Sequence, residues 1–249
     1  MDYDNVNIAD YYDQARALTT AGRRLWQDLL STHLDRTAIS LVVDLGCGTG
    51  RFSELLAAHL GTKVIAIDPS QKMVDQGRRK RAAGNILFQR AAAEALPLSG
   101  GCVDLVFMSQ VYHHFTDPLA VARECWRVLR AGGYVCVRNT TRESDFAYRH
   151  FFPLDRLIDS ELPTGNDIGS IFVGAGFTPA IHQIVIQVVA PDWPTFVQKS
   201  ALRADSFLAR LPDEAFSRGM TELRAHVAEI DPGEPVTEEI DWFVFSRSA

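Results

Sequence analysis

Val42-Val43-Asp44-Leu45-Gly46-Cys47-Gly48-Thr49-Gly50 is the stretch on which the reading of this chain turns. A β-branched apolar run opening at Leu41 enters three glycines spaced two apart. Phe52, Leu55, Leu56, His59 and Leu60 then recur at helical spacing. Glycine lets a backbone approach a ligand where any Cβ would collide. The amides that open the following helix favour an anionic group.

Working outward, Val64-Ile65-Ala66-Ile67 predicts a second strand. It ends in Asp68-Pro69-Ser70, with Ser70 placed to cap a helix that carries Met73 and Val74 inward. Gly84-Asn85 ends that helix, and Ile86-Leu87-Phe88 predicts a third strand. Val103 to Met108 predicts a fourth. A helix then opens at Pro118, with Leu119, Ala122, Trp126 and Leu129 on one stripe. Ala131-Gly132-Gly133 stops it, and Tyr134 to Val137 is the fifth strand. Five strands alternating with helices make a doubly wound parallel sheet. Beyond Arg138 the rhythm changes to a mixed aromatic stretch over 142–172, a strand over Ile181–Val189, helices near 194–210 and 213–230, and a last strand over Ile240–Phe245. There is no internal repeat and no low-complexity linker, so residues 1–249 read as one domain.

The 249 residues carry a net charge of −6, with 47% hydrophobic and 22% charged residues, the composition of an ordinary globular protein. No overall positive field draws in a nucleic-acid backbone. No apolar run approaches the roughly 20 residues of a membrane span. Met1-Asp2-Tyr3-Asp4 lacks the basic and apolar regions of a secretory signal. Cys47, Cys102, Cys125 and Cys136 form no CxxC pair, so reduced thiols and a cytoplasmic location are expected. Asn139-Thr140-Thr141 matches a glycosylation sequon, which without a signal is a chance match.

A dinucleotide fingerprint places its third glycine at position 51, where this chain has Arg51. The third glycine is Gly50, and Asp44 adds an acid to the loop. A nicotinamide-dependent oxidoreductase is therefore the competing reading rather than the preferred one. Asp68, eighteen residues after Gly50, sits at a strand tip, where a carboxylate accepts both hydroxyls of a ribose. GxxxxGK, GxSxG and HExxH are absent, as is any zinc-ligand spacing.

With Ala-Ile-Asp-Pro-Ser following the glycine loop, the chain resembles the class I S-adenosylmethionine-dependent methyltransferases. Ala93-Glu94-Ala95-Leu96-Pro97, Val103-Asp104-Leu105-Val106 running to His113-His114, and Arg127-Val128-Leu129-Arg130-Ala131-Gly132-Gly133 agree with the family in order. The match spans about residues 40–138 and is similar to the small-molecule branch around the ubiquinone and menaquinone enzymes. The resemblance implies an α/β, Rossmann-like seven-stranded sheet, mostly parallel, with helices on both faces. Its last strand would be antiparallel beside the 181–189 strand, and helical insertions would lie in the C-terminal part. It divides the chain into an N-terminal helical lid (1–38), a cofactor core (39–140) and a substrate side (141–249). It implies S-adenosyl-L-methionine as cofactor, a small-molecule methyl acceptor and the reaction class EC 2.1.1.

By the same resemblance Asp44, Gly46, Cys47 and Gly48 hold the cofactor's methionine part. Asp68 binds its ribose, and Pro69, Ser70 and Met73 flank its adenine. Ala92, Ala93 and Glu94 lie along the adenine edge, where Ala92 replaces the family's usual aspartate and removes one acceptor. Ser109 and Gln110 stand beside the methionine and the substrate. Tyr11 to Arg16 matches the lid segment, with Tyr12 and Arg16 four apart on one helix face, and Arg16 placed to clamp the cofactor's carboxylate. His113 and His114, as neighbours, do not share a helix face, which argues against a two-histidine metal site. One of them is a candidate general base, set against a packing or capping role. Phe146, Tyr148, Phe151, Phe152 and the stretch Trp193 to Leu211 are candidates for the substrate wall and equally good core residues. Arg78 to Arg81 reads as a solvated helix end. A non-catalytic cofactor-binding protein is the third reading. The acceptor atom and the oligomeric state stay open.

Overall fold

The computed structural model describes residues 17–80 and 84–248. Its strands are β1 (Leu41–Leu45), β2 (Lys63–Asp68), β3 (Ile86–Arg90), β4 (Val103–Ser109), β5 (Leu129–Asn139), β6 (Thr178–Ala190) and β7 (Val236–Ser246). They form one sheet in the order β3-β2-β1-β4-β5-β7-β6. β1 to β5 pair in parallel, whereas β7 runs antiparallel to both β5 and β6. The order reverses between β1 and β4, which opens a crevice at their carboxyl ends, the usual ligand position in such sheets.

Helices α1 (Thr20–His33) and α2 (Arg51–Leu60) cover one face, and α4 (Pro118–Val128) and α7 (Gly165–Gly174) lie against the other. α3 (Gln71–Lys80) packs on β2 and β3. Helix α1 starts where Thr19 accepts from the Gly22 N–H at 2.9 Å. The same hydroxyl donates to the Val188 carbonyl at 2.9 Å, tying the helix to β6. On that face Trp26 and Leu30 pack with Phe52, Phe107 and Trp242. On the other, Met108, Cys125, Phe172, Phe243 and Phe245 form a second core. Short helices α5 (Tyr148–Phe151) and α6 (Asp155–Glu161) join α8 (Trp193–Ala201) and α9 (Asp213–Glu229) around a third core of Phe152, Phe196, Leu208 and Leu223 beside the carboxyl edge.

The expected seven-stranded sheet is present, with several element boundaries moved. The fifth strand starts at Leu129 rather than Tyr134, because Leu129 pairs with Val103 and residues 130–133 bulge out before Tyr134 pairs with Leu105. Gly132, at φ +77°, donates to the Arg247 carbonyl, so the glycines make a bulge within the strand. The helix expected over 194–210 ends at Ala201. Arg203 takes a left-handed φ of +49°, and its guanidinium binds the Leu208 and Leu211 carbonyls, which closes a loop instead. The last two strands run longer than expected at both ends, since β6 and β7 pair from Thr178–Ser246 to Ala190–Val236.

Candidate functional site

The chain leaves β1 through Gly46, Gly48 and Gly50, all at positive φ (+71°, +55° and +83°). The Gly46 and Cys47 N–H groups both donate to the Ile67 carbonyl, at 2.8 and 3.0 Å, which folds the loop onto the tip of β2. A Cβ on Gly46 would lie 2.2 Å from a Val111 methyl, so the close approach that requires this glycine is to the segment after β4. Gly50 caps α2, and Arg51 is its first residue.

Asp68 stands at the tip of β2, 8% exposed. Its Oδ2 accepts from the Gly48 N–H at 2.8 Å and its Oδ1 from the Ser70 N–H at 2.9 Å. One carboxylate therefore orders both the glycine loop and the start of α3. A carboxylate accepts about four hydrogen bonds, so these two and a ribose diol are compatible on one group. Ser70 Oγ accepts from the Met73 N–H at 3.3 Å, the expected cap, and Met73 is buried while Pro69 is exposed. Cys47 packs beside Ala66, Val74 and Phe88.

Asp44 lies one layer deeper, 1% exposed, and accepts from the Ser53 hydroxyl at 2.6 Å. Burial pushes its pKa up to about 7; Ser53 and Arg51 oppose the rise and the nearby Asp68 charge adds to it. Ala92, Ala93 and Glu94 follow β3 at the flank of Asp68, where the Ala91 N–H donates to the Asp68 carbonyl at 3.3 Å. Ala92 and Glu94 are exposed.

On the β4 side, Gln110 adopts φ +55°, a left-handed conformation that costs a non-glycine residue energy. Paired side-chain bonds to Thr140 hold it: its amide nitrogen donates to Thr140 Oγ1 at 2.6 Å and its amide oxygen accepts from the Thr140 N–H at 2.9 Å. Ser109 accepts from Arg138 at 3.2 Å. Arg138, at the end of β5, also donates to Gln187 Oε1 at 2.8 Å and lies 4.8 Å from the Trp26 ring. The Trp26 indole donates to the same Gln187 oxygen at 2.6 Å. No motif pointed to this buried Arg138–Gln187–Trp26 cluster. Its signal was a lone Gln inside the β-branched run of β6 and an Arg closing that of β5.

Two cavities open beside this end of the sheet. One, about 40 Å³, is lined by Arg51, Arg138 and Lys199 with Leu18, Val189, Phe196, Gln110 and Gln187. The other, about 30 Å³, is lined by His113, Thr140, Phe146, Leu162, Asp205 and Phe207. Gln110, Tyr148 and Glu238 belong to both. The candidate wall residues thus divide. Phe146 and Tyr148 face the cavities, while Phe152 stacks on Phe216 and Phe151 meets Trp193 and His226 within the third core. His113 faces the second cavity, and its ring centre is 4.0 Å from that of His114. Both occur on a short 3-10 turn, Tyr112–His114, where their rings are in contact. Among the described residues no group of three or more potential ligands is placed to hold a metal, no disulfide joins the four cysteines, and no helix is long and apolar enough to cross a membrane. Tyr11, Tyr12 and the carboxylate clamp assigned to Arg16 lie outside the described residues. Arg78 to Lys80 are exposed at the end of α3, as expected.

Residues 43–137 match the family described as a methyltransferase domain. Demethylmenaquinone methyltransferase of Lactococcus lactis is 32% identical over 155 residues, covering 59% of this chain and 61% of that protein. The aligned part is thus less than two thirds of that relative's length. A putative sarcosine dimethylglycine methyltransferase from Galdieria sulphuraria has the same fold, with a TM-score of 0.64 at 14% identity, covering 98% of this chain and 99% of that one. The structure of a 4+2 cyclase is also similar, with a TM-score of 0.61 at 18% identity over 91% of this chain and 81% of its own. Over residues 43–137 the chain is therefore similar to a methyltransferase domain, and it shares the fold of the solved structures.

Proposed function

We propose that this chain is an S-adenosyl-L-methionine-dependent methyltransferase (EC 2.1.1) acting on a small-molecule acceptor in the cytoplasm, with residues 39–140 binding the cofactor and 141–249 the acceptor. One observation carries the reading. Asp68, at the tip of β2, accepts from the Gly48 N–H at 2.8 Å and so sits against the glycine bend at the sheet's switch point. That arrangement suits an adenosyl group whose ribose hydroxyls both meet one carboxylate.

When bound, the cofactor supplies an electrophilic methyl on a sulfonium. The protein's part is to place it and to exclude water. Asp68 takes the ribose hydroxyls, Pro69, Ser70 and Met73 the adenine, and Gly46 to Gly48 with Asp44 beneath them the methionine end. Ala92 to Glu94 line the adenine edge, where backbone replaces the acceptor that Ala92 lacks. Gln110, pinned to Thr140, divides this site from the acceptor cavities, which Phe146, Tyr148 and Phe207 wall with aromatic surface. Where the acceptor loses a proton on methylation, His113 is the group at the cavity to take it.

Calorimetric titration with S-adenosylhomocysteine and with NADH tests the reading. Binding of the first alone supports it, and binding of NADH alone refutes it. Methyl transfer from labelled cofactor across a panel of small acceptors tests the activity itself.

A further inference from the structure

We propose that the cavity between the turn at Tyr112–Phe115 and α7 is a second small-molecule site, for an uncharged apolar ring compound that presents one hydrogen-bond acceptor to Tyr112. Its volume is about 440 Å³, within the range of ligand pockets and far above that of the two cavities described earlier. His113 and Leu162 line both it and the second of those cavities, so the two are neighbours. Tyr112 is 5% exposed, and its hydroxyl bonds to none of the described residues. Buried polar groups are normally satisfied, and this one can be satisfied only from the cavity that Tyr112 lines. Its ring is held in place. The ring centres of Phe115 and Phe172 lie 5.8 and 6.5 Å away, and the Tyr112 N–H donates to Asn139 Oδ1 at 3.3 Å. A donor fixed in this way loses little freedom when it meets a ligand.

The rest of the wall decides the charge of that ligand. Arg142 and Asp167 are opposite in sign and act on one another, and Glu161 is paired with Arg210. Arg142 and Asp167 are also exposed, where salt and water screen them. No net charge therefore selects an ion. Phe115, Pro118, Leu162, Pro163 and Ile171 supply apolar surface, with the Ser170 hydroxyl at the exposed rim. Burial, with the Asp167 charge adding to it, pushes the Tyr112 pKa up to about 12, so the phenol keeps its proton. A neutral donor beside apolar side chains fits a carbonyl or ether oxygen on an apolar ring.

Acetophenone and ethylbenzene, which are close in shape and differ in the carbonyl, are titrated into the full chain and followed by protein NMR, with and without saturating S-adenosylhomocysteine. Acetophenone is expected to bind roughly fivefold more tightly, the scale of one neutral hydrogen bond, and equally in both conditions. Tyr112→Phe removes only the hydroxyl, so it should bind acetophenone as weakly as ethylbenzene and leave the ethylbenzene affinity unchanged. Ser170→Trp, a substitution at the exposed rim, should block both probes. Equal affinity of the two probes for the parent protein overturns the proposal, since the hydroxyl then serves solvent alone. So does a preference that survives Tyr112→Phe, binding untouched by Ser170→Trp, or benzoate binding more tightly than acetophenone. Displacement of acetophenone by S-adenosylhomocysteine overturns it too, because the probe then lies in the cofactor site. A carbonyl preference lost in Tyr112→Phe, in a protein that binds no S-adenosylhomocysteine, upholds this site and refutes the cofactor reading instead.

Discussion

Replacing Asp44 with asparagine changes how stability depends on pH, and the size of the change follows from where Asp44 lies. The carboxyl is fully enclosed beneath the glycine loop and accepts from Ser53 at 2.6 Å. Burial pushes its pKa from an ordinary 3.8 up to about 7. Between those values the folded protein holds a proton that the unfolded chain has released. This group's contribution to stability therefore falls as pH rises through the window, by about 1.4 kcal/mol per unit. From pH 5 to pH 8 the loss integrates to roughly 2–3 kcal/mol, because the slope flattens above the folded pKa. The amide of Asp44→Asn keeps the shape and still accepts from Ser53, but it has no charge to bury. Urea unfolding of both proteins at pH 5, 6, 7 and 8 measures the difference, in which every other titrating group cancels. The variant should gain steadily on the parent with rising pH and be the more stable at pH 8. Two parallel stability curves would refute the reasoning, since they would mean that Asp44 titrates alike in the folded and unfolded chain.

Asp68→Ala should weaken S-adenosylhomocysteine binding by about 1.5–3 kcal/mol by removing charge-assisted hydrogen bonds; unchanged calorimetric affinity contradicts the assignment. Gly46→Ala should destabilise by more than the roughly 1–2 kcal/mol of a left-handed alanine, because its Cβ also meets Val111 at 2.2 Å. Thermal melts should show Val111→Ala recovering part of that loss. Trp26→Phe removes the 2.6 Å bond to Gln187 while Arg138 still holds the same oxygen, so about 1 kcal/mol should be lost in urea unfolding.

The strands that flank the glycine bend were legible because their signals are local: a β-branched run, a breaker, a helical stripe. So was Asp68, placed by its distance from Gly50 and found bonded to Gly48. Features decided by distant partners were not legible. The bulge at 130–133 depends on Val103 and Arg247, far away in sequence. The break after Ala201 depends on Arg203 capturing carbonyls further along the loop. The Arg138–Gln187–Trp26 cluster joins three segments by hydrogen bonds across 49 and 161 residues, and no window of sequence contains it. The contact between the His113 and His114 rings, on a short 3-10 turn, had no signal in the sequence.

The sheet order has a consequence for how the chain is made. β6 is paired as a strand, among the described residues, with β7 alone, and β7 slots between it and β5. During synthesis the five parallel strands can assemble early. Residues 178–190 must then wait, with their amides facing water or a chaperone, until residues 236–246 have cleared the ribosome and can be threaded between the two. Gln187 reaches Arg138 in its final position only then, so the cation-lined chamber is the last part of the molecule to be finished.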